Sequence, residues 1–240
     1  MIFLWILAGL FALLILYILF LVVCSLLVDP KRDYTRYNGF YRRILEDVTN
    51  IALWIMRIRV HTQGLDQVPE GRVLLVGNHR SCFDPIVTWR AFKKWTPAFI
   101  SKPENFKIPV FGRIIRRCCF LAIDRENPRN AIRTIQTAAK LMVDDQVSVG
   151  VYPEGTRSKN CVLLPFHDGV FKIAQKAKVP IVVVAIEGSE NVHKNYPWHR
   201  THVQLSVLEV IPAAEVCEAS THALGQRVRS LLEQKLGQTQ

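Results

Sequence analysis

The sequence predicts an α/β domain preceded by a membrane helix. Three observations predict it: an uncharged apolar N-terminus, short apolar runs alternating with helical stretches from about Ile58 onward, and cap or turn residues between them. At 240 residues, half of them apolar, the chain can bury one sizeable core, so one domain is expected beyond the N-terminal segment.

Residues 1–28, MIFLWILAGLFALLILYILFLVVCSLLV, carry no charged side chain. As a helix they are long enough to cross a hydrocarbon core of about 30 Å. The run lacks a basic n-region and exceeds the apolar stretch of a cleaved signal peptide, so it is expected to stay attached as an anchor. Lys31, Arg32, Arg36, Arg42 and Arg43 follow directly. This asymmetry places the rest of the chain on the cytoplasmic side and favours anionic headgroups.

Residues 29–57 form a basic juxtamembrane segment. Tyr34, Tyr37, Phe40 and Tyr41 precede a second apolar patch, Ile51 to Met56. That pattern suits an amphipathic helix at the membrane interface, and equally a helix packed on the domain.

The domain is expected over residues 58–240. Strands are read near Ile58–Thr62, Val73–Val76, Cys119–Ile123, Val147–Tyr152, Ile181–Ile186 and Val203–Val210. Asp84 before Pro85 and Asn127 before Pro128 each resemble an N-cap followed by a first-turn proline. The first opens PIVTWRAFKKW; the second opens a helix whose face carries Ala131, Ile135, Ala138 and Met142. GVFKIAQKA and ALGQRVRSLLEQKL supply two further helices.

Lys and Arg outnumber Asp and Glu by 31 to 20, a net charge of +11, which points to an anionic partner. The basic residues are dispersed and no zinc-finger or RNA-binding signature occurs, so nucleic acid is not expected. Cys24, Cys82, Cys118, Cys119, Cys161 and Cys217 include no CxxC pair, which suggests free thiols rather than a metal or redox site. No metal and no cofactor are expected.

Two constellations carry chemistry. In GNHRSCFDP, His79 precedes Asp84 by five positions just after an apolar strand. Residues five apart do not share a helix face, but they meet if His79 lies in the turn and Asp84 starts the next helix. The carboxylate then fixes the imidazole tautomer and leaves Nε2 as a base; alternatively Asp84 merely caps the helix. No G-x-S-x-G, H-E-x-x-H or P-loop occurs, and although Ser81 and Cys82 sit inside the motif, neither is needed as a nucleophile. An acceptor hydroxyl and an activated thioester require only one base. In VGVYPEGTRS, glycine permits close backbone approach and arginine offers forked donors to a phosphate.

NHRSCFD and YPEGTRS, together with FGRIIRRCCFLAIDR and VPIVVVAIEGS, resemble the four ordered blocks of the 1-acylglycerol-3-phosphate acyltransferase (lysophosphatidate acyltransferase) family, from about Val60 to Ser189. The resemblance implies a single α/β domain with a central mixed sheet flanked by helices. It also implies transfer of a fatty acyl group from acyl-CoA or acyl carrier protein to the sn-2 hydroxyl of lysophosphatidate, giving phosphatidate at the membrane. Another acceptor, glycerol 3-phosphate or a different lysolipid, is the alternative; a hydrolase or a non-catalytic lipid-binding protein would be a different class.

By the same resemblance His79 is the general base, Asp84 orients it and Asn78 shapes the turn. Arg125, Glu154, Gly155, Thr156 and Arg157 form the phosphate site, with Glu154 holding an arginine or the backbone. Lys102 is a further phosphate contact, and Pro180 shapes the site wall. Two departures stand out. Cys118 and Cys119 lie where the family often has glycine, and PFHDG, with His167 and Asp168, replaces a basic run.

Overall fold

The computed structural model describes residues 1–124 and 127–238. Two helices, α1 (Ile2–Leu26) and α2 (Gly39–Ile55), lead into the domain. Seven strands follow: β1 (Ile58–Gln63), β2 (Leu74–Gly77), β3 (Pro97–Ser101), β4 (Leu121–Ala122), β5 (Ser148–Val151), β6 (Ile181–Glu187) and β7 (Thr201–Ile211). Between and after them come α3 (Asp84–Ala91), α4 (Phe111–Arg117), α5 (Pro128–Val143), α6 (Lys172–Ala177), α7 (Val192–Asn195), α8 (Ala213–Glu218) and α9 (Thr221–Lys235).

The strands form one mixed sheet in the order β1-β7-β6-β2-β5-β3-β4. Every neighbouring pair is parallel except β6 and β7. Helices cover both faces, which explains why the central strands read as unbroken apolar runs. Successive side chains point to opposite faces. In β6, Ile181, Val183 and Ala185 join a core with α5, α6 and α9, while Val182, Val184 and Ile186 meet Val87 of α3 and Leu53 of α2.

Five of the six predicted strands span close to the expected residues. The run Cys119–Ile123 contributes only Leu121–Ala122, and β3 is an additional strand in a stretch to which the sequence assigns no element. Asn127 caps α5 as expected, its side chain accepting from the N–H groups of Arg129 and Asn130. Asp84 instead lies inside α3, with Phe83 as the N-cap residue.

α1 has a mean hydropathy of 3.1 over its most apolar stretch, none of which is buried, a composition compatible with membrane anchoring. Its C-terminal end is fastened to the domain. The Tyr41 hydroxyl donates to the Cys24 carbonyl (2.9 Å), and Phe20 meets Phe40 edge-on. α2 is both packed and exposed: Tyr41, Ile44, Leu45 and Leu53 are buried, whereas Phe40, Ile51, Trp54 and Ile55 face outward. The buried Arg42 guanidinium donates to the carbonyls of Pro97 and Lys93 and lies 4.2 Å over the Trp89 ring. Burial lowers its pKa, with Glu46 opposing.

Candidate active site

The parallel strands β2, β5, β3 and β6 all finish at one edge of the sheet, the edge where α/β folds place ligands. Three of the predicted site segments leave from there: β2 delivers Asn78 and His79, β5 delivers Glu154 to Arg157, and β3 delivers Lys102. β6 adds Ser189.

Asn78 is buried, and its amide behaves as one more rung of the sheet. Its Nδ2 donates to the Ile186 carbonyl and its Oδ1 accepts from the Ile186 N–H, both at 2.8 Å. With that side chain fixed, the chain turns and His79 faces Asp84. His79 Nδ1 lies 2.9 Å from Asp84 Oδ2, and the Asp84 side chain is wholly buried. The same oxygen accepts from the N–H groups of Arg80 and Ser81, each at 2.7 Å, and Oδ1 accepts from the Ser189 hydroxyl. A buried carboxylate needs this degree of satisfaction. Because all these donors come from outside the body of α3, the carboxylate serves the turn and His79 rather than capping its own helix.

The imidazole stacks on Tyr152, ring centroids 4.5 Å apart. Its Nε2 makes no hydrogen bond among the described residues, so one nitrogen is held and the other is available. The Tyr152 hydroxyl meets Thr88 Oγ1 at 3.1 Å, and burial, with a smaller contribution from Asp84, pushes the phenol well above its ordinary pKa.

Glu154 holds backbone, one of the two options the sequence left open. Oε1 accepts from the His79 N–H (2.6 Å) and Oε2 from the Leu164 N–H (2.9 Å). Burial raises its pKa, opposed by these two bonds. The Ser158 N–H donates to the His79 carbonyl, so the loops after β2 and β5 are laced on both sides of His79. Gly155 has a positive φ of 72° in the turn that follows, and beyond it Thr156 and Arg157 are exposed. Lys102 is exposed just after β3. Arg125 lies outside the described residues.

Pro180 corrects the expectation for the site wall. Its carbonyl accepts from the Leu74 N–H at the start of β2, so it sits at the opposite edge of the sheet from His79. The part of that block that reaches the site is its other end, Gly188 and Ser189. Gly188 takes a φ of 88°, and a Cβ there would stand 2.5 Å from the His202 carbonyl oxygen, so this turn requires glycine. Ser189 was missed as a site residue because nothing local marks it.

Neither hydroxyl nor thiol inside the motif is placed as a nucleophile held by His79. Ser81 Oγ accepts from the Phe83 N–H, and Cys82 is exposed with His193 Nε2 at 3.8 Å. The PFHDG departure is divided. Asp168 turns away to His222 on α9 (2.9 Å), while His167 lines an apolar cavity of about 180 Å³ together with Ile100, Ile135, Val151, Tyr152 and Gly155. That cavity shares Tyr152 and Gly155 with the site.

A family model described as Acyltransferase matches residues 59–187. The chain belongs to the acyltransferase family. Among relatives of this acyltransferase, the 1-acyl-sn-glycerol-3-phosphate acyltransferase of Haemophilus influenzae is 25% identical over 231 residues, covering 93% of this chain and 95% of the relative. The enzyme of that name from Salmonella typhimurium is 30% identical over 171 residues, 70% and 68% of the two chains. The human alpha form is 28% identical over 217 residues, 89% and 75%. The crystal structure of the 1-acyl-sn-glycerophosphate (LPA) acyltransferase from Thermotoga maritima, 24% identical, superposes with a TM-score of 0.69 over 92% of this chain and 88% of the other, which establishes the shared fold.

Proposed function

We propose that this acyltransferase moves a fatty acyl group from a thioester donor, acyl-CoA or acyl carrier protein, to the sn-2 hydroxyl of lysophosphatidate, yielding phosphatidate. The observation that carries the reading is the held-and-free imidazole: Nδ1 on the buried Asp84 carboxylate, Nε2 unengaged among the described residues.

The chemistry follows from that geometry. Asp84 keeps the proton on Nδ1, so Nε2 accepts the acceptor's hydroxyl proton as its oxygen attacks the thioester carbonyl. The tetrahedral intermediate expels the thiolate, which takes the proton back from Nε2, so the base is regenerated. A thiol pKa of about 8.5 makes this departure easy without a second acid.

Thr156, Arg157 and Lys102, exposed at the same edge, supply donors to the acceptor phosphate, a role the family resemblance also gives Arg125. The apolar cavity against Tyr152 and Gly155 takes the acyl chain. α1 anchors the enzyme, and the basic segment from Lys31 to Arg43 keeps the domain on the cytoplasmic face.

The test incubates the full-length protein in nanodiscs with labelled acyl-CoA or acyl carrier protein and a panel of lysolipids, beside His79→Ala. Phosphatidate formation that falls by about 10² or more in the folded variant is the expected result. Undiminished turnover in that variant would sink the base assignment, and labelled free fatty acid in place of phosphatidate would mean hydrolysis.

A further inference from the structure

Where α2 turns into β1, a groove of about 720 Å³ opens, lined by Arg57, Arg59, Arg90 and Arg200 with Asn50 and Trp54. Among the described residues, no Asp or Glu lines it. All four arginines are exposed, and among the described residues none forms an ion pair or a side-chain hydrogen bond. Several arginines elsewhere are paired with carboxylates: Arg72 with Asp145, Arg116 with Asp33, Arg227 with Glu209 and Glu215. Four like charges around one concavity repel one another, and a polyanion seated in it reverses the sign of that interaction.

The groove lies at the catalytic edge of the sheet. β1 and β7 run parallel and start there, because β7 is antiparallel to β6, and β6 and β2 end there. In strand order β1 is three places from β2, about 14 Å at the usual spacing. Arg90 rides on α3, the helix whose first residue is Asp84.

An acyl-CoA donor has a matching anatomy. Its thioester is joined through a pantetheine arm to 3′-phosphorylated ADP, so a thioester held at His79 leaves a pyrophosphate, a 3′-phosphate and a purine to be placed an arm's length away. Arginine forks suit the phosphates. Trp54, 80% exposed, offers a ring face to the purine. Its concavity and volume are those of a small-ligand cleft rather than a flat headgroup surface. We infer that the arginine groove binds the 3′-phospho-ADP end of an acyl-CoA donor. The inference rests on the thioester reading above and selects the nucleotide thioester over the carrier protein.

The experiment compares acyl-CoA with the same acyl group on pantetheine, which keeps the thioester and lacks the nucleotide. It uses full-length wild type and an Arg59→Gln/Arg90→Gln/Arg200→Gln variant in nanodiscs. The variant should raise KM for acyl-CoA by about tenfold or more, with acyl-pantetheine kinetics and lysophosphatidate KM unchanged within about twofold. In wild type, 3′,5′-ADP should compete with acyl-CoA. Calorimetry should detect its binding to the His79→Ala protein and lose it when the three arginines are changed. This arm does not depend on turnover, so the donor site stands or falls apart from the catalytic assignment. Equal use of both donors by wild type would overturn the inference. So would a variant that loses both donors together with its affinity for phosphatidylglycerol vesicles, which would make the groove a membrane surface. Loss confined to acyl carrier protein as donor would make it a protein-docking site and would also overturn it.

Discussion

Ser189 donates its hydroxyl to Oδ1 of Asp84, the carboxylate oxygen that His79 leaves free. The two contacts hold the carboxylate at both ends, so the plane of the imidazole is set partly by a residue that follows the neighbouring strand β6. Removing the hydroxyl in Ser189→Ala frees one end of a wholly buried carboxylate. The expected result is a kcat lower by about tenfold, with both KM values unchanged. A fall in kcat accompanied by an equal loss of folded protein would assign Ser189 a structural role only.

Asp84→Asn keeps the shape and changes the chemistry. The Arg80 and Ser81 N–H groups hold the amide oxygen against Nδ1, so the imidazole loses the negative charge that stabilises it once Nε2 has taken a proton. Transfer should drop by roughly 10²–10⁴, while the circular dichroism spectrum stays that of wild type. Near-normal kcat in Asp84→Asn would remove Asp84 from the catalytic unit.

Glu154 makes stability depend on pH in a direction opposite to that of a salt-bridged carboxylate. Burial raises its pKa above the ordinary 4.5, so the native state holds this proton to higher pH than the unfolded chain does. Stability therefore falls as pH rises from the unfolded value to the raised native one, and is flat with respect to this group above it. Glu154→Gln removes that slope. It also costs about 1–2 kcal/mol near neutrality, because an amide NH₂ must then face one of two N–H donors. Melting curves of both proteins across this range check the sign; a wild-type stability that rises through the window, with no such rise in the variant, would refute it.

The cysteines give a fourth prediction. Burial pushes the Cys118 thiol up to about 12 and the Cys119 thiol up to about 11, while Cys82 and Cys217 are exposed. A maleimide should label Cys82 and Cys217 in the native protein and reach Cys118 and Cys119 only after denaturation. Cys119 also sits at φ 65°, and with Cys118 it stands where the family resemblance would put glycine. Cys119→Val, β-branched in a left-handed conformation, should destabilise by about 2 kcal/mol or more, against less than about 1 kcal/mol for Cys119→Gly. Equal melting temperatures for the two variants would show that the strain is absent.

Much of this molecule was legible before its structure. The apolar N-terminus, the capped α5 and the unbroken runs of β5 and β6 each announce themselves, because a sheet covered on both faces needs continuous apolar strands. β3 did not, since Pro97 and Ala98 are poor strand markers and its order comes from parallel pairing with β5 and β4. The motif residues His79, Asp84 and Glu154 were visible, but their relations were not. Whether Asp84 caps a helix or faces His79 depends on the turn between them, and the partners of Glu154 and Asp84 lie 75 and 105 positions away. Pro180 was misplaced because a block of sequence was treated as a single place, whereas a seven-residue strand carries its ends to opposite edges of the sheet.

The bond from Tyr41 to the Cys24 carbonyl and the grip of Arg42 on Pro97 and Lys93 bear on how the enzyme would meet its lipid. They fasten the C-terminal end of the apolar helix α1 to the catalytic domain through α2, rather than leaving a head on a leash. With α1 embedded, these contacts would set the altitude of His79 above the bilayer. A lysolipid would have to rise to that altitude to react, so how readily a lipid lifts out of its leaflet becomes a selection criterion alongside the chemistry of its headgroup.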